Sequence, residues 1–74
     1  MDLTNRKLKS ERELKGVNQS DVANFLKISL NTYWSKENGK TEFTISEAKK
    51  LAKYFNISVM ELFFTNSDNE KLTD

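Results

Sequence analysis

Apolar residues recur at helical spacing along this chain, separated by short polar segments. The pattern is clearest in the second half, where five apolar residues fall on one face of a helix: Ile45, Ala48, Leu51, Ala52 and Phe55. Such a stripe is typical of an amphipathic helix with one face against a core. Thr44 and Glu47 form a capping box at its start. We therefore expect a helix over residues 45–55 with this stripe buried.

Three further helices are predicted in the first half. The first spans residues 5–15 and ends before Gly16, a residue that tolerates the left-handed conformation common at helix ends. The second follows Asn18, a good N-cap residue, and breaks near Lys27. The third begins after the N-cap residue Ser29 and ends before an Asn-Gly pair.

A fifth helix is predicted close to the C-terminus, where Ser58 and Glu61 form a second capping box. The sequence thus predicts an all-α domain, a compact bundle of five short helices, over residues 1–64. Residues 65–74 carry three acidic side chains against Lys71 alone, and we interpret them as an acidic, flexible C-terminal tail.

Composition narrows the function. The 74 residues include no His and no Cys, so the usual zinc ligands and the commonest general base are missing. We therefore expect no enzyme activity, no metal, no cofactor and no small-molecule ligand. The predicted domain carries 11 basic and 8 acidic side chains, a net charge of +3. This charge is weak support for an anionic partner.

The second and third predicted helices have the spacing of a helix-turn-helix. They are joined by about three residues, and small or apolar side chains such as Ala23, Ile28 and Tyr33 fill the angle between them. The outer face of the third helix is then free to enter a major groove. Four polar or aromatic residues lie on it at positions i, i+3, i+4 and i+7: Asn31, Trp34, Ser35 and Asn38.

With these features the chain resembles the Cro/CI (Xre-like) family of phage and bacterial transcriptional regulators. The resemblance covers residues 8–64 and rests on several anchors at fixed spacing: Arg12, the 16–19 junction, Val22, Ala23, Leu26, Ile28, Ser29, the 37–40 segment, residues 48–52, residues 57–59 and residues 61–63. It implies a lambda-repressor-like DNA-binding domain with the recognition helix near residues 29–37.

The resemblance also implies a role for individual residues. It carries phosphate contacts to Gln19, Asn38, Lys40 and Thr41, and we add Lys27 as a further backbone contact. It assigns base reading to the exposed side of the third helix: Ser29, Leu30, Asn31, Thr32, Trp34 and Ser35. For Trp34, packing against protein is the competing interpretation.

Arg12 and Glu37 are expected, on the same resemblance, to form an ion pair that ties the first helix to the end of the third. Lys27 stands where the family usually has Gly in a left-handed turn. Lys36 replaces a commonly apolar residue, so we expect the third helix either to dock less deeply or to pack through the lysine stem while the charge reaches solvent. Leu30 replaces a polar residue and is suited to a thymine methyl group.

The last helix carries more apolar surface than its own burial needs, in Val59, Met60, Phe63 and Phe64. These residues are either core or a candidate dimer face, and in the family a C-terminal helix often supplies the two-fold contact. A homodimer would place two recognition helices about 34 Å apart and predict a pseudo-palindromic operator.

The preferred interpretation is a sequence-specific DNA-binding transcriptional regulator, a repressor acting in the cytoplasm of a bacterial host, with no membrane contact. Two alternatives stay open. One is an antitoxin or other protein-interaction module that uses the C-terminal aromatic face. The other is the controller protein of a restriction-modification system, which resembles the same fold and size.

Overall fold

The computed structural model describes residues 4–64, except for the side chain of Phe64. It confirms the all-α bundle. The five helices, in chain order, are α1 Arg6–Lys15, α2 Gln19–Leu26, α3 Leu30–Glu37, α4 Ile45–Phe55 and α5 Val59–Phe64. Within residues 4–64 there is no β-strand.

Capping hydrogen bonds fix where the helices start. The Asn18 side chain accepts from the Asp21 amide at 2.9 Å, and the Asp21 carboxylate accepts from the Asn18 amide at 2.9 Å. Thr44 and Glu47 exchange the same pair of bonds, at 3.0 and 2.9 Å. Both arrangements satisfy N–H groups that no helical carbonyl can reach. At α5, the Ser58 hydroxyl accepts from the backbone amide of residue 61 at 2.9 Å.

Three helices end in the same way. A residue in the left-handed conformation follows the helix, and the amide after it donates back to a carbonyl five residues earlier. The left-handed residues are Gly16, Lys27 and Asn56, and a branched apolar residue follows each of them: Val17, Ile28 and Ile57. Lys27, with φ of 62°, therefore adopts the backbone conformation expected of the family's glycine.

The core lies where the helices meet and consists of nine buried apolar residues: Leu8, Val22, Ala23, Leu26, Tyr33, Leu51, Ala52, Phe55 and Leu62. Ile45 was expected on this buried stripe, and that prediction is wrong, because its side chain is 76% exposed. Ile45 is the first residue of α4 and lies at the rim of the bundle. Phe43 packs against the core just before it, with its ring 6.0 Å from that of Tyr33.

The longest helix among residues 4–64, α4, has 11 residues, and no helix in this range is long and apolar enough to cross a membrane. The acidic tail predicted for residues 65–74 lies outside the described residues.

Candidate nucleic-acid interface

The inner face of α3 is anchored in the bundle by two residues one turn apart. Tyr33 is completely buried, and Glu37 at the end of the helix is 1% exposed. The small side chain of Ala23 on α2 is also buried in this contact region. Because two turns of α3 are held this way, the opposite face of the helix is directed away from the core.

The buried Glu37 carboxylate accepts four hydrogen bonds. Arg12 donates two of them, from Nε at 2.9 Å and from Nη2 at 3.3 Å. Gln19 Nε2 donates at 2.7 Å and the Tyr33 hydroxyl at 2.8 Å. The remaining Arg12 nitrogen, Nη1, donates to the Val17 carbonyl at 3.2 Å. We call Arg12, Gln19, Tyr33 and Glu37 the brace; it connects α1, α2 and α3 through one charged group.

The brace also sets the protonation of its members. Burial opposes the charged form of Glu37, but hydrogen bonds from Arg12, Gln19 and Tyr33 outweigh it and hold the pKa of Glu37 below its ordinary value. Burial, together with the nearby Glu37 charge, raises the pKa of Tyr33, so this residue stays a neutral donor. At neutral pH, Arg12 and Glu37 are therefore both charged.

The C-terminal end of α3 is held by a residue that the sequence analysis missed. Asn5 precedes α1, where its side chain makes no cap for that helix. Instead its backbone amide donates to the Glu37 carbonyl at 2.9 Å and its Nδ2 to the Lys36 carbonyl at 2.9 Å. These carbonyls have no partner within α3. An Asn before a helix looks like an ordinary N-cap, and only the fold brings it to the end of α3.

Lys36 ties the other side of this helix end to α4. Its ammonium lies 2.7 Å from Glu47 Oε1 and 3.3 Å from the Glu42 carbonyl, and it lies 5.8 Å from the centre of the Phe43 ring. The aliphatic stem is thus largely covered, as expected, but the charge does not reach open solvent: it is paired with Glu47, in a side chain that is 12% exposed. This explains how a lysine is accepted at a position that is commonly apolar.

The outer face of α3 is exposed toward its N-terminal end, whereas Ser35 and Asn38, also expected on this face, are half-buried. Leu30 is 48% and Trp34 44% exposed, and Asn31 between them is also exposed. Ser29 and Thr32 form the start of the helix, where the Ser29 hydroxyl accepts from the Thr32 amide at 3.1 Å and donates to the Thr32 hydroxyl at 2.8 Å.

Cations and small polar groups lie at both ends of α3. Lys27 is exposed in the turn before the helix, and Lys40 is exposed after it with its ammonium 5.6 Å from the centre of the Trp34 ring. The amides of Lys40 and Thr41 donate to the carbonyl of half-buried Ser35, at 2.8 and 3.4 Å. The loop is thereby held against the last turn of the helix.

Two of the expected phosphate contacts have partners within the protein. Gln19 uses its amide nitrogen on Glu37, and Asn38 donates from Nδ2 to the Trp34 carbonyl at 2.9 Å, where it caps the helix. Each side chain keeps an amide oxygen, which accepts rather than donates, and a second N–H. Their contact with DNA stays a prediction.

A helix-turn-helix family model matches residues 8–62, the region that contains the brace and the exposed face of α3. The chain belongs to the Cro/CI-type helix-turn-helix family. It is 36% identical over 69 residues to the cryptic phage CTXphi transcriptional repressor RstR of Vibrio cholerae, a match that covers 90% of this chain and 60% of that repressor. No solved structure matches the chain.

A second relative is similar over nearly its whole length. The uncharacterized HTH-type transcriptional regulator MJ0272 of Methanocaldococcus jannaschii is 34% identical over 62 residues, which are 84% of this chain and 94% of that protein.

In this helix-turn-helix chain, α2 and α3 are the two helices of the motif, and α3 takes the position of the recognition helix.

The candidate dimer face is divided in the structure. Val59 and Phe63 are partly buried and pack against the core, whereas Met60 is 65% exposed. The Phe64 side chain lies outside the described residues. A groove of about 580 Å³ lies mainly along the segment before α4 and the start of α4, where Phe43 lines it, and it reaches α5 at Val59 and Phe63. Within residues 4–64, no group of acidic side chains is arranged so that it could hold a metal ion.

Proposed function

We propose that this chain is a sequence-specific DNA-binding transcriptional regulator, and that it represses by occupying an operator. One observation carries the proposal. The inner face of α3 is fixed by the brace, while its outer face is exposed between Lys27 and Lys40. A rigid, exposed helix with cations at both ends has the shape and charge to enter the major groove of duplex DNA.

Sequence is read in this proposal by the exposed side chains of α3. Asn31 is the leading candidate, because a carboxamide can donate to and accept from adenine at the same time. Its exposure leaves both groups available. The proposed set of base-reading residues is the one predicted from the sequence: Ser29, Leu30, Asn31, Thr32, Trp34 and Ser35.

Phosphate contacts supply most of the affinity and set the register of α3 in the groove. Lys27 and Lys40 provide charge, and Gln19, Asn38 and Thr41 provide polar contacts near the two ends of the helix. We expect affinity to fall as salt rises, because each neutralised phosphate releases counterions.

We further propose that the regulator is a homodimer on a pseudo-palindromic operator. Exposed Met60 and the groove that reaches α5 supply apolar surface for a two-fold contact. Two recognition helices would then lie about 34 Å apart, one turn of duplex. The similarity to a phage transcriptional repressor of Vibrio cholerae supports repression and a phage or prophage setting in a bacterial cytoplasm.

The test is a selection of binding sites from random duplex DNA with the purified protein, at low salt and at about 150 mM salt. Sedimentation of the free protein and of its complex counts subunits. We expect an enriched pseudo-palindrome with half-sites about 10 base pairs apart. Binding that is salt-sensitive and independent of sequence would reject the operator, and a stable co-purifying protein would favour the antitoxin alternative.

A variant pair locates the reading face. Asn31→Ala should lose preference for the selected site and keep non-specific binding, since it removes a base contact and no charge. Asn24→Ala, which removes an exposed Asn from α2, is the matched control and should bind like the parent. Equal loss of specific and non-specific binding in Asn31→Ala would argue against a base contact.

A further inference from the structure

The outer face of α3 contains two large apolar side chains that the core does not use. Leu30 and Trp34 are four residues apart, so they are neighbours on the helix surface, and each is close to half exposed. Other exposed apolar side chains lie elsewhere, Leu14 on α1 and Met60 on α5 among them. An apolar pair at the centre of a polar, cation-flanked face needs an apolar group to contact.

Trp34 is held in place from two sides. Its carbonyl accepts from both the backbone amide and the side-chain amide of Asn38, at 3.0 and 2.9 Å. The Lys40 ammonium lies 5.6 Å from the centre of its ring, and the Lys40 amide is bonded to Ser35. The cation next to the indole keeps a charge available for a phosphate beside the apolar surface.

In the major groove of unmodified DNA only thymine offers an apolar group, the C5-methyl. We propose that Leu30 and Trp34 form a thymine-reading pair that contacts the methyl groups of two thymines in each half-site. This inference rests on the proposed function. Residues four apart on a helix lie about 5–6 Å from each other. This spacing lies between one step of about 3.4 Å and two steps of about 6.8 Å along a DNA strand, within reach of two neighbouring methyl groups for side chains as long as these.

The experiment uses the parent protein and the selected operator. Each thymine of one half-site is replaced in turn by deoxyuridine, which removes the methyl group and leaves base pairing and the groove acceptors unchanged. We expect affinity to fall about fourfold at each of two positions, the effect of leaving one methyl group unburied. All other positions should be unaffected. If the selection enriches an operator but no uracil substitution changes the affinity for it, the inference is overturned and the proposed function is unaffected.

Variants assign the two methyl groups. At one of the two positions, Leu30→Ala should bind the thymine and uracil operators with equal affinity. At the other position, Trp34→Ala should do so. Leu14→Ala, which truncates an exposed leucine on α1, should keep the full uracil effect at both. Persistence of both effects in Leu30→Ala and Trp34→Ala would overturn the inference. Failure of the selection to enrich any site would overturn the proposed function itself.

Discussion

Two consecutive residues at the end of α3 are both ion-paired, and the two pairs are built differently. Glu37 pairs with Arg12 of α1, and Lys36 pairs with Glu47 of α4. In the first pair the side chains are 10% and 2% exposed, and in the second 12% and 17%. The Glu37 carboxylate also accepts from Gln19 and Tyr33, so its oxygens are fully supplied with donors.

The difference shows which contact sets the orientation of α3. A guanidinium and a carboxylate join through two parallel bonds, so the Arg12 to Glu37 pair fixes both distance and angle. The Lys36 ammonium makes only one bond to the Glu47 carboxylate, so that pair fixes a distance and tolerates rotation. We infer that the brace determines how the outer face is presented, whereas the Lys36 to Glu47 pair only limits movement of the helix end relative to α4.

The largest effect is expected from Arg12→Met. This substitution leaves Glu37 charged and buried without its cation, a change that typically costs about 3–5 kcal/mol of unfolding free energy. A domain of this size has little more than that in total. We expect a large fall in the denaturant midpoint, measured by helical circular dichroism.

Lys9→Met is the control for this substitution, because it removes an exposed cation from the same helix and should change stability by less than about 0.5 kcal/mol. Arg12→Lys keeps the charge but loses the two parallel bonds, and should be intermediate. A midpoint for Arg12→Met equal to that of Lys9→Met would mean that the brace does not stabilise the fold.

A smaller effect is expected from Tyr33→Phe, which removes one donor from Glu37 and no ring volume. The cost at neutral pH should be about 1–2 kcal/mol. A lowered Glu37 pKa contributes stability that is complete above the ordinary value of 4.5 and is lost as pH falls through the native value. The variant raises that native value, so this contribution is smaller, and its loss on acidification should be complete at a higher pH than in the parent.

The measurement is the free energy of unfolding from pH 7 down to about pH 3, for the parent and Tyr33→Phe. Tyr54→Phe, at a half-buried tyrosine outside the brace, is the matched control. If the two variants lose stability along the same pH curve, the Tyr33 hydroxyl does not support the Glu37 charge.

The smallest effect is expected from Lys36→Met. Methionine keeps the apolar stem over Phe43, and Glu47 still accepts from the Thr44 amide in its capping box. The loss should therefore be about 1 kcal/mol, because Glu47 keeps that donor and, at 17% exposed, some contact with water. Lys49→Met, at an exposed position of α4, controls for the lost charge. A loss as large as that of Arg12→Met would contradict the contrast between the two pairs.

The helices could be predicted from the sequence because the residues that start and end them act on their immediate neighbours in the chain. Capping residues such as Asn18 and Thr44 act within one turn, and the left-handed ends act within the next residue. The family resemblance then placed the helix-turn-helix, which the family match and the five-helix fold confirm.

The sequence was insufficient where a contact joins distant segments or where a side chain lies at an edge. Asn5 has the local pattern of an N-cap, yet its partners are 31 and 32 residues away at the end of α3. Ile45 fits the period of the buried stripe, but it lies on the first turn of α4, which extends beyond the edge of the core. Periodicity gives the direction of a side chain and not the extent of the core.

The left-handed turn at Lys27 has a further consequence for anyone who wishes to make the domain more heat-stable. A non-glycine residue in this conformation costs about 1 kcal/mol, and Lys27→Gly would remove most of that strain. The same substitution would delete a cation at the entrance to the recognition helix, one of the proposed phosphate contacts. Under the proposed function, thermostability and operator affinity are therefore opposed at this position, and selection for one in the laboratory should reduce the other.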